Sequence, residues 1–239
     1  MAPSPTLDLD ATHTEPANPR RDAWVASRDC SMSILDLAAF DAALLHRKPC
    51  DYVVVPGFVR SEYLVELARD YPRISGPGSF DAHRLSCGPA FSKLLEELRG
   101  PAWRDRVATK FAVDLASRPL QIGVRRFAEL SDGNIHNDSR SKFVTALIYF
   151  NDDWPSESGR LRLLRNPRDI DDYAAEIEPT RGTLFCFRRS ENSYHGFKPC
   201  EGERRSLQMY WVSSKRGARG GPKQTPELVR RLRRLFKRG

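Results

Sequence analysis

The chain has 239 residues, 40% of them apolar, and no run of about 18 apolar residues, which excludes a spanning helix and fits one medium globular domain with short appendages. Five scattered cysteines, an odd number with no CxxC pair, argue against a disulfide framework or a zinc knuckle and favour reduced thiols in the cytoplasm. The net charge of +8 is unevenly placed: residues 215–239 hold ten Lys/Arg and one acid, so the body is nearly neutral and is not expected to bind nucleic acid.

Residues 1–20, rich in Pro, Thr and acid, are expected to be disordered and do not read as a secretory signal. A single domain is expected over 21–214, followed by a basic tail over 215–239. Apolar spacing at Ile34, Leu37, Ala38, Leu44 and Leu45 predicts a helix over 33–48, capped by Ser33. "DYVVVPGFV" reads as a short buried strand that Pro56-Gly57 ends. Residues 61–71 are expected to form a helix capped by Ser61, and "PRISGPGSF" a loop. Two further helical stretches, 90–98 and 102–115, are divided by Gly100-Pro101.

After Pro119 the pattern changes to alternation. In "LQIGVRRFAEL", Leu120, Ile122 and Val124 face one way. "SKFVTALIYF", "GRLRLL", "EIEPTRGTLFCF" and "RRSLQMYWV" are also strand-like, with turn signals at Asp132-Gly133, Asn166-Pro167, Arg181-Gly182 and Glu201-Gly202. Helices first and several short strands after them indicate an α+β fold with a sandwich or barrel. No repeat of 20–50 residues is visible. In the tail, "TPELVRRLRRLF" predicts a short helix with one apolar side and arginines opposite.

Of the five histidines, His13, His46 and His83 have ordinary readings, in an unstructured start, at a helix end and in a polar loop. His136 and His195 differ. On a strand, residues i and i+2 share a face, so His136 and Asp138 can be aimed at one point. Alone, His-x-Asp is a weak signal that a turn aspartate and a surface histidine would equally explain. His195 follows 59 residues later and offers a third ligand. Two histidines and a carboxylate on one face of an ion suit a non-haem Fe(II) with open positions. Nine residues beyond His195, Arg204-x-Ser206 puts a guanidinium and a hydroxyl on one strand face, a natural clamp for a carboxylate.

In this ordered set, together with "TALIYFN", Gly159, Leu161, Leu163, Pro179, Gly182 and Pro199, the sequence resembles the 2-oxoglutarate/Fe(II)-dependent dioxygenases, prolyl-4-hydroxylase-like branch, over roughly residues 50–214. The resemblance implies a double-stranded β-helix (jelly roll) with N-terminal helices packed on its outside. It implies that His136, Asp138 and His195 bind Fe(II), that Arg204 and Ser206 hold the distal carboxylate of 2-oxoglutarate, and that Tyr149 places its hydroxyl on the same group. Arg205 competes with Arg204, since adjacent strand residues face opposite sides. Arg126 faces either the pocket or solvent. Arg160 and Arg162 line an anionic substrate site or face water, and Ser158-Gly159-Arg160 stands where relatives carry a glycine pair. Val144, Leu147, Leu184 and Phe187 are expected to make the barrel interior apolar.

The implied reaction consumes O2 and 2-oxoglutarate and hydroxylates an unactivated C–H bond, with a prolyl residue of a protein or peptide as one substrate class. A glycan, lipid-linked or small-molecule substrate at the membrane surface is the alternative, motivated by the cationic tail, which would make weak contact with anionic lipid or else remain a solvated helix. A noncatalytic metal-binding jelly-roll module is the second alternative. Segments 73–90, 130–141, 152–158 and 188–194 are the candidate lids.

Overall fold

The computed structural model describes residues 33–213. The expectations for residues 1–20 and for the tail helix lie outside the described residues. Among the described residues no helix is long and apolar enough to cross a membrane.

The N-terminal half is helical in shorter pieces than the sequence predicts. Helix α1 (Leu37–Ala42) starts at Asp36, whose side chain accepts from the Ala39 amide at 2.9 Å, so Asp36 and not Ser33 is the cap. The helix stops at Ala42 because the chain turns into a bridge, with His46 and Tyr52 exchanging backbone hydrogen bonds of 2.9 and 3.0 Å. His46 therefore stacks on the Tyr52 ring at 4.7 Å instead of ending a helix. Strand β1 (Tyr52–Val55) follows. Residues 61–63 form a 3₁₀ turn, and helix α2 (Leu64–Arg69) begins beyond it with no side-chain cap, so Ser61 does not cap it.

Strand β2 (Phe80–Asp81) is a short edge, and helices α3 (Pro89–Arg99) and α4 (Pro101–Phe111) meet at Gly100. Asp70 caps α3 from outside that helix. Its carboxylate accepts from the Ala90 amide at 2.8 Å, where a negative charge complements the helix start. Gly88 is required for this approach, because a Cβ there would lie 2.3 Å from the Asp70 side chain.

Seven strands complete the fold: β3 (Leu120–Ala128), β4 (Lys142–Tyr149), β5 (Leu161–Leu164), β6 (Tyr173–Ile177), β7 (Leu184–Arg188), β8 (His195–Gly196) and β9 (Gly202–Val212). "EIEPTRGTLFCF" thus breaks at its own Arg181-Gly182 turn, and its halves join different sheets. The large sheet has the order β1-β7-β4-β9-β3-β2 and the small one β6-β5-β8, all pairs antiparallel. His136 extends the small sheet beside β8. This is the double-stranded β-helix that the sequence led us to expect.

Alternation along the strands divides the core in two. Ile122 and Val124, Val144, Ala146 and Ile148, and Leu207, Met209 and Trp211 pack with the helices, against Phe91, Leu98, Trp103 and Phe111. Leu147, Tyr149, Phe185 and Phe187 turn the other way and meet Leu161, Leu163 and Ile177 of the small sheet. Val144 and Leu184 were expected inside the barrel and instead face the helices, because their neighbours Thr145 and Phe185 take the inward positions.

Gly182 has φ +70°, and a Cβ there would lie 2.6 Å from the Val59 side chain. Gly182→Ala is expected to cost about 1–3 kcal/mol, read as a lower midpoint in chemical denaturation.

Candidate metal centre

His136, Asp138 and His195 come together. One ligating atom from each lies within 4.8 Å of the others. The cause is a backbone bridge: the amide of each histidine donates to the carbonyl of the other at 3.0 Å. The pairing sets the two imidazoles 4.3 Å apart with their planes tilted by 58°, and Asp138 returns to the same region two residues on. Asp138 and His195 are buried, and His136 is exposed, so the cluster opens on the His136 side.

Each imidazole is held in one tautomer. His136 Nδ1 lies 2.9 Å from the Asn134 carbonyl and His195 Nδ1 2.9 Å from the Ser193 carbonyl. A carbonyl only accepts, so the proton sits on Nδ1 and the Nε2 lone pair is free for a cation. Burial is the main cause that takes His195 down to about 4, which keeps the ring neutral. Burial opposes ionisation of Asp138, but Lys142, His195 and Thr145 outweigh it and hold the carboxyl below its ordinary range. Lys142 Nζ donates to Oδ1 and Thr145 Oγ1 to Oδ2, each at 2.5 Å. The donor set of two imidazoles and one carboxylate, with three protein ligands and an open side, fits a divalent transition metal.

The two loops that carry these groups are tied together. Asn137 turns away from the cluster and donates to the Ser190 carbonyl at 2.8 Å, while Ser193 Oγ donates to Asn137 Oδ1 at 2.7 Å. Arg189 Nε donates to the Asp138 carbonyl at 3.1 Å. Asn137 is therefore a brace between segments 130–141 and 188–194, which hold the cluster as well as flank it.

Deeper between the sheets lies a second group of polar atoms. Tyr149 and Ser206 stand opposite each other on β4 and β9, and Arg204 shares their face. The Tyr149 hydroxyl, Ser206 Oγ and Arg204 Nη2 are all buried with no hydrogen-bond partner in the protein. Leaving such groups unpaired costs about 1–3 kcal/mol each, so the trio is built for a ligand that accepts several hydrogen bonds and carries negative charge. A carboxylate meets both requirements. Burial raises the Tyr149 pKa against the pull of Arg204, which keeps the phenol protonated as a donor.

The geometry separates the two competing arginines. Arg204 is buried, its Nε donates to the Gly159 carbonyl at 2.8 Å, and its guanidinium lies over the Phe197 and Tyr149 rings at 4.4 and 5.1 Å. Arg205 turns outward to Asp152 and Glu203. Arg126 also turns outward, to Glu203 at 2.9 Å. Its neighbour Arg125 takes the inward place. The alternation of Leu120, Ile122 and Val124 already implied that odd positions of β3 face the opposite side, and this was the signal for it. Arg162 is buried in ion pairs with Asp171 and Glu176, and Arg160 pairs with Glu176 and Glu178, so neither lines the pocket.

Sequence reasoning also missed Thr145, Lys142 and the role of Gly159. Gly159 has φ +82°, and a Cβ there would meet Trp154 at 2.6 Å and Cys200 at 2.7 Å. Its φ and its close contacts explain why this position is glycine.

Thr145→Val removes the hydroxyl donor from Asp138 while keeping the side-chain shape. It is expected to weaken Mn(II) or Co(II) binding about 10–100-fold, measured by titration of the metal-free protein with its fold checked by circular dichroism.

Residues 124–213 match the model of the 2OG-Fe(II) oxygenase superfamily. No curated protein is significantly similar to the chain in sequence. Solved structures with a related fold include a Pseudomonas putida prolyl-4-hydroxylase, at 20% identity and TM-score 0.49, over 67% of this chain and 85% of that one. A viral collagen prolyl hydroxylase from Paramecium bursaria Chlorella virus-1 is similar at 14% identity and TM-score 0.48, over 69% and 96%. A Burkholderia pseudomallei oxidoreductase of the 2OG-Fe(II) oxygenase family is similar at 13% identity and TM-score 0.47, over 67% and 84%. The matched segment runs from β3 to the end of β9 and contains His136, Asp138, His195, Arg204 and Ser206.

Proposed function

We propose that the chain is an Fe(II)- and 2-oxoglutarate-dependent hydroxylase in which His136, Asp138 and His195 hold the iron and Arg204, Ser206 and Tyr149 hold the distal carboxylate of 2-oxoglutarate. The observation that carries this reading is the presence of two features in one fold: a three-donor cluster within 4.8 Å, and a buried trio of unpartnered donors. Bound Fe(II), 2-oxoglutarate and O2 supply the oxidising chemistry, with succinate, CO2 and a hydroxylated product as the outcome.

The protein's own part is orientation and shielding. The Asn134 and Ser193 carbonyls accept from Nδ1 and so leave Nε2 as the ligating nitrogen of each ring. Lys142 and Thr145 keep Asp138 ionised. Gly159 holds the Arg204 fork in place, so its remaining N–H groups point at one locus. Leu147, Leu163, Phe185 and Phe187 wall the space between the sheets and exclude water from the reacting groups.

For the substrate we propose a prolyl residue of a protein or peptide. The support is the ordered motif set from His136-x-Asp138 to Arg204-x-Ser206, which resembles the prolyl-4-hydroxylase-like branch. We also propose that the enzyme works in the cytoplasm. The four cysteines among the described residues are all free thiols, which a reducing compartment preserves.

The test is succinate formation from 2-oxoglutarate with Fe(II) and O2. His136→Ala and Asp138→Ala should abolish it without changing the circular dichroism spectrum; full turnover in either variant would sink the assignment. Arg204→Ala should raise the KM for 2-oxoglutarate at least about tenfold, whereas Arg205→Ala should leave it within about twofold. Comparing the proteomes of wild-type and His195→Ala cells for a peptide that lacks one oxygen in the variant tests the prolyl assignment, and hydroxylation found only on a glycan or small molecule would replace it.

A further inference from the structure

Arg125 is the charged side chain of β3 that turns into the space between the sheets. In the β3/β9 register it stands opposite Ser206, and in the β9/β4 register Ser206 stands opposite Tyr149. Arg125, Ser206 and Tyr149 therefore form one row across three strands, with directly opposed Cβ atoms about 5 Å apart. Arg204 lies two residues from Ser206 on the same face. The unpartnered Ser206 hydroxyl has Tyr149 on one side and Arg125 on the other. Behind the row, the Tyr71 hydroxyl lies 2.7 Å from the Arg125 carbonyl and 3.2 Å from the Ser206 carbonyl, which fixes the register just before the bulge in β3.

The Arg125 side chain is mostly buried. Its Nη2 donates to Asp132 Oδ2 at 2.6 Å, and among the described residues Asp132 is the only hydrogen-bond or ion-pair partner of the guanidinium. Asp132 Oδ2 is shared with the Glu129 amide at 3.0 Å, so the carboxylate is tied to its own turn and does not follow the guanidinium inward. A Lys or a neutral residue at 125 would have served to anchor Asp132 or to fill space. A forked cation in one row with the Ser206 and Tyr149 hydroxyls does more.

We infer that Arg125 is a specificity-determining residue for the cosubstrate, a second guanidinium that acts with Arg204 to select a keto acid carrying a distal carboxylate. The inference rests on the proposed 2-oxoglutarate-dependent function. Arg204 supplies the direct fork. Arg125 adds a second positive charge beside Ser206, and it discriminates against keto acids whose far end is neutral, because those gain nothing from either guanidinium and leave the Tyr149, Ser206 and Arg204 Nη2 donors without a partner.

The experiment measures binding of 2-oxoglutarate and of 2-oxobutyrate, which lacks the distal carboxylate, to the full chain loaded with Mn(II) without O2, by calorimetry. Wild type should prefer 2-oxoglutarate. Arg125→Gln should weaken 2-oxoglutarate about tenfold or more, with 2-oxobutyrate and Mn(II) affinity held within about twofold. Arg125→Lys should recover part of the preference. An unchanged preference in Arg125→Gln, an equal loss for both keto acids, or a loss of Mn(II) binding would each show a merely structural side chain and overturn the inference. If Arg125→Gln does not fold, Asp132→Asn decides. Freeing the guanidinium from its counter-charge should keep or increase the preference for 2-oxoglutarate, and a fall of about tenfold overturns the inference. Failure of the wild type to bind 2-oxoglutarate overturns the oxygenase reading and this inference with it, whereas normal wild-type binding with an indifferent Arg125→Gln overturns the inference alone.

Discussion

Two reciprocal backbone hydrogen bonds of 3.0 Å between His136 and His195 hold the chemistry of this molecule together. They join segments 59 residues apart, and because the pairing is antiparallel the two side chains leave the same face. Everything else in the cluster follows from that bridge. Asp138 arrives two residues later on the same side. The Nδ1 hydrogen bonds to Asn134 and Ser193 are local and hold only while the two segments keep their conformation. The brace of Asn137, Ser193 and Arg189 then makes the joined loops one unit. A metal site with three protein ligands demands this kind of support, since displacement of one donor by an ångström is enough to lose an ion.

The large sheet has two faces with different tasks. One is dry and packed by helices, with Trp103, Phe91 and Phe111 filling it. The helices are short, and their packing supplies most of their stability. The opposite face carries polar groups on alternate residues of β3, β4 and β9, so one strand serves both the core and the cleft. That arrangement buries polar residues such as Thr145 and Ser206 with different consequences. Thr145 is satisfied by Asp138, while the Ser206 and Tyr149 hydroxyls and Arg204 Nη2 have no hydrogen-bond partner in the protein.

Much of this could be read in the sequence, and the misses have identifiable causes. The strands were legible because alternation reports burial directly. The helices over 33–48 and 61–71 were read too long. Apolar spacing continues past Ala42, yet the chain is captured there by the His46–Tyr52 bridge, and Ser61 enters a 3₁₀ turn instead of capping. Val144 and Leu184 were placed inside the barrel because they are apolar, although apolar residues serve both cores and only their phase relative to Thr145 and Phe185 tells which. Arg126 drew attention over Arg125 for the same reason, and the phase of Ile122 and Val124 settles it. The uncertainty between Arg204 and Arg205 was of another kind. Two adjacent arginines of equal chemistry are distinguished only by which face of β9 meets the Gly159 carbonyl.

By itself the sequence determined the residue types and their order: His136-x-Asp138, His195, Arg204-x-Ser206 and the alternating strands between them. Those features are local, and side-chain periodicity and donor chemistry are enough to read them. The tertiary structure alone decided which distant groups meet. It put Thr145 and Lys142 on Asp138, the Gly159 carbonyl under Arg204, and Arg125 in a row with Ser206 and Tyr149. These contacts are set by the register between strands far apart in the chain, and register is fixed by how two sheets and a helical layer bury their faces at once, a condition that no short stretch of sequence contains.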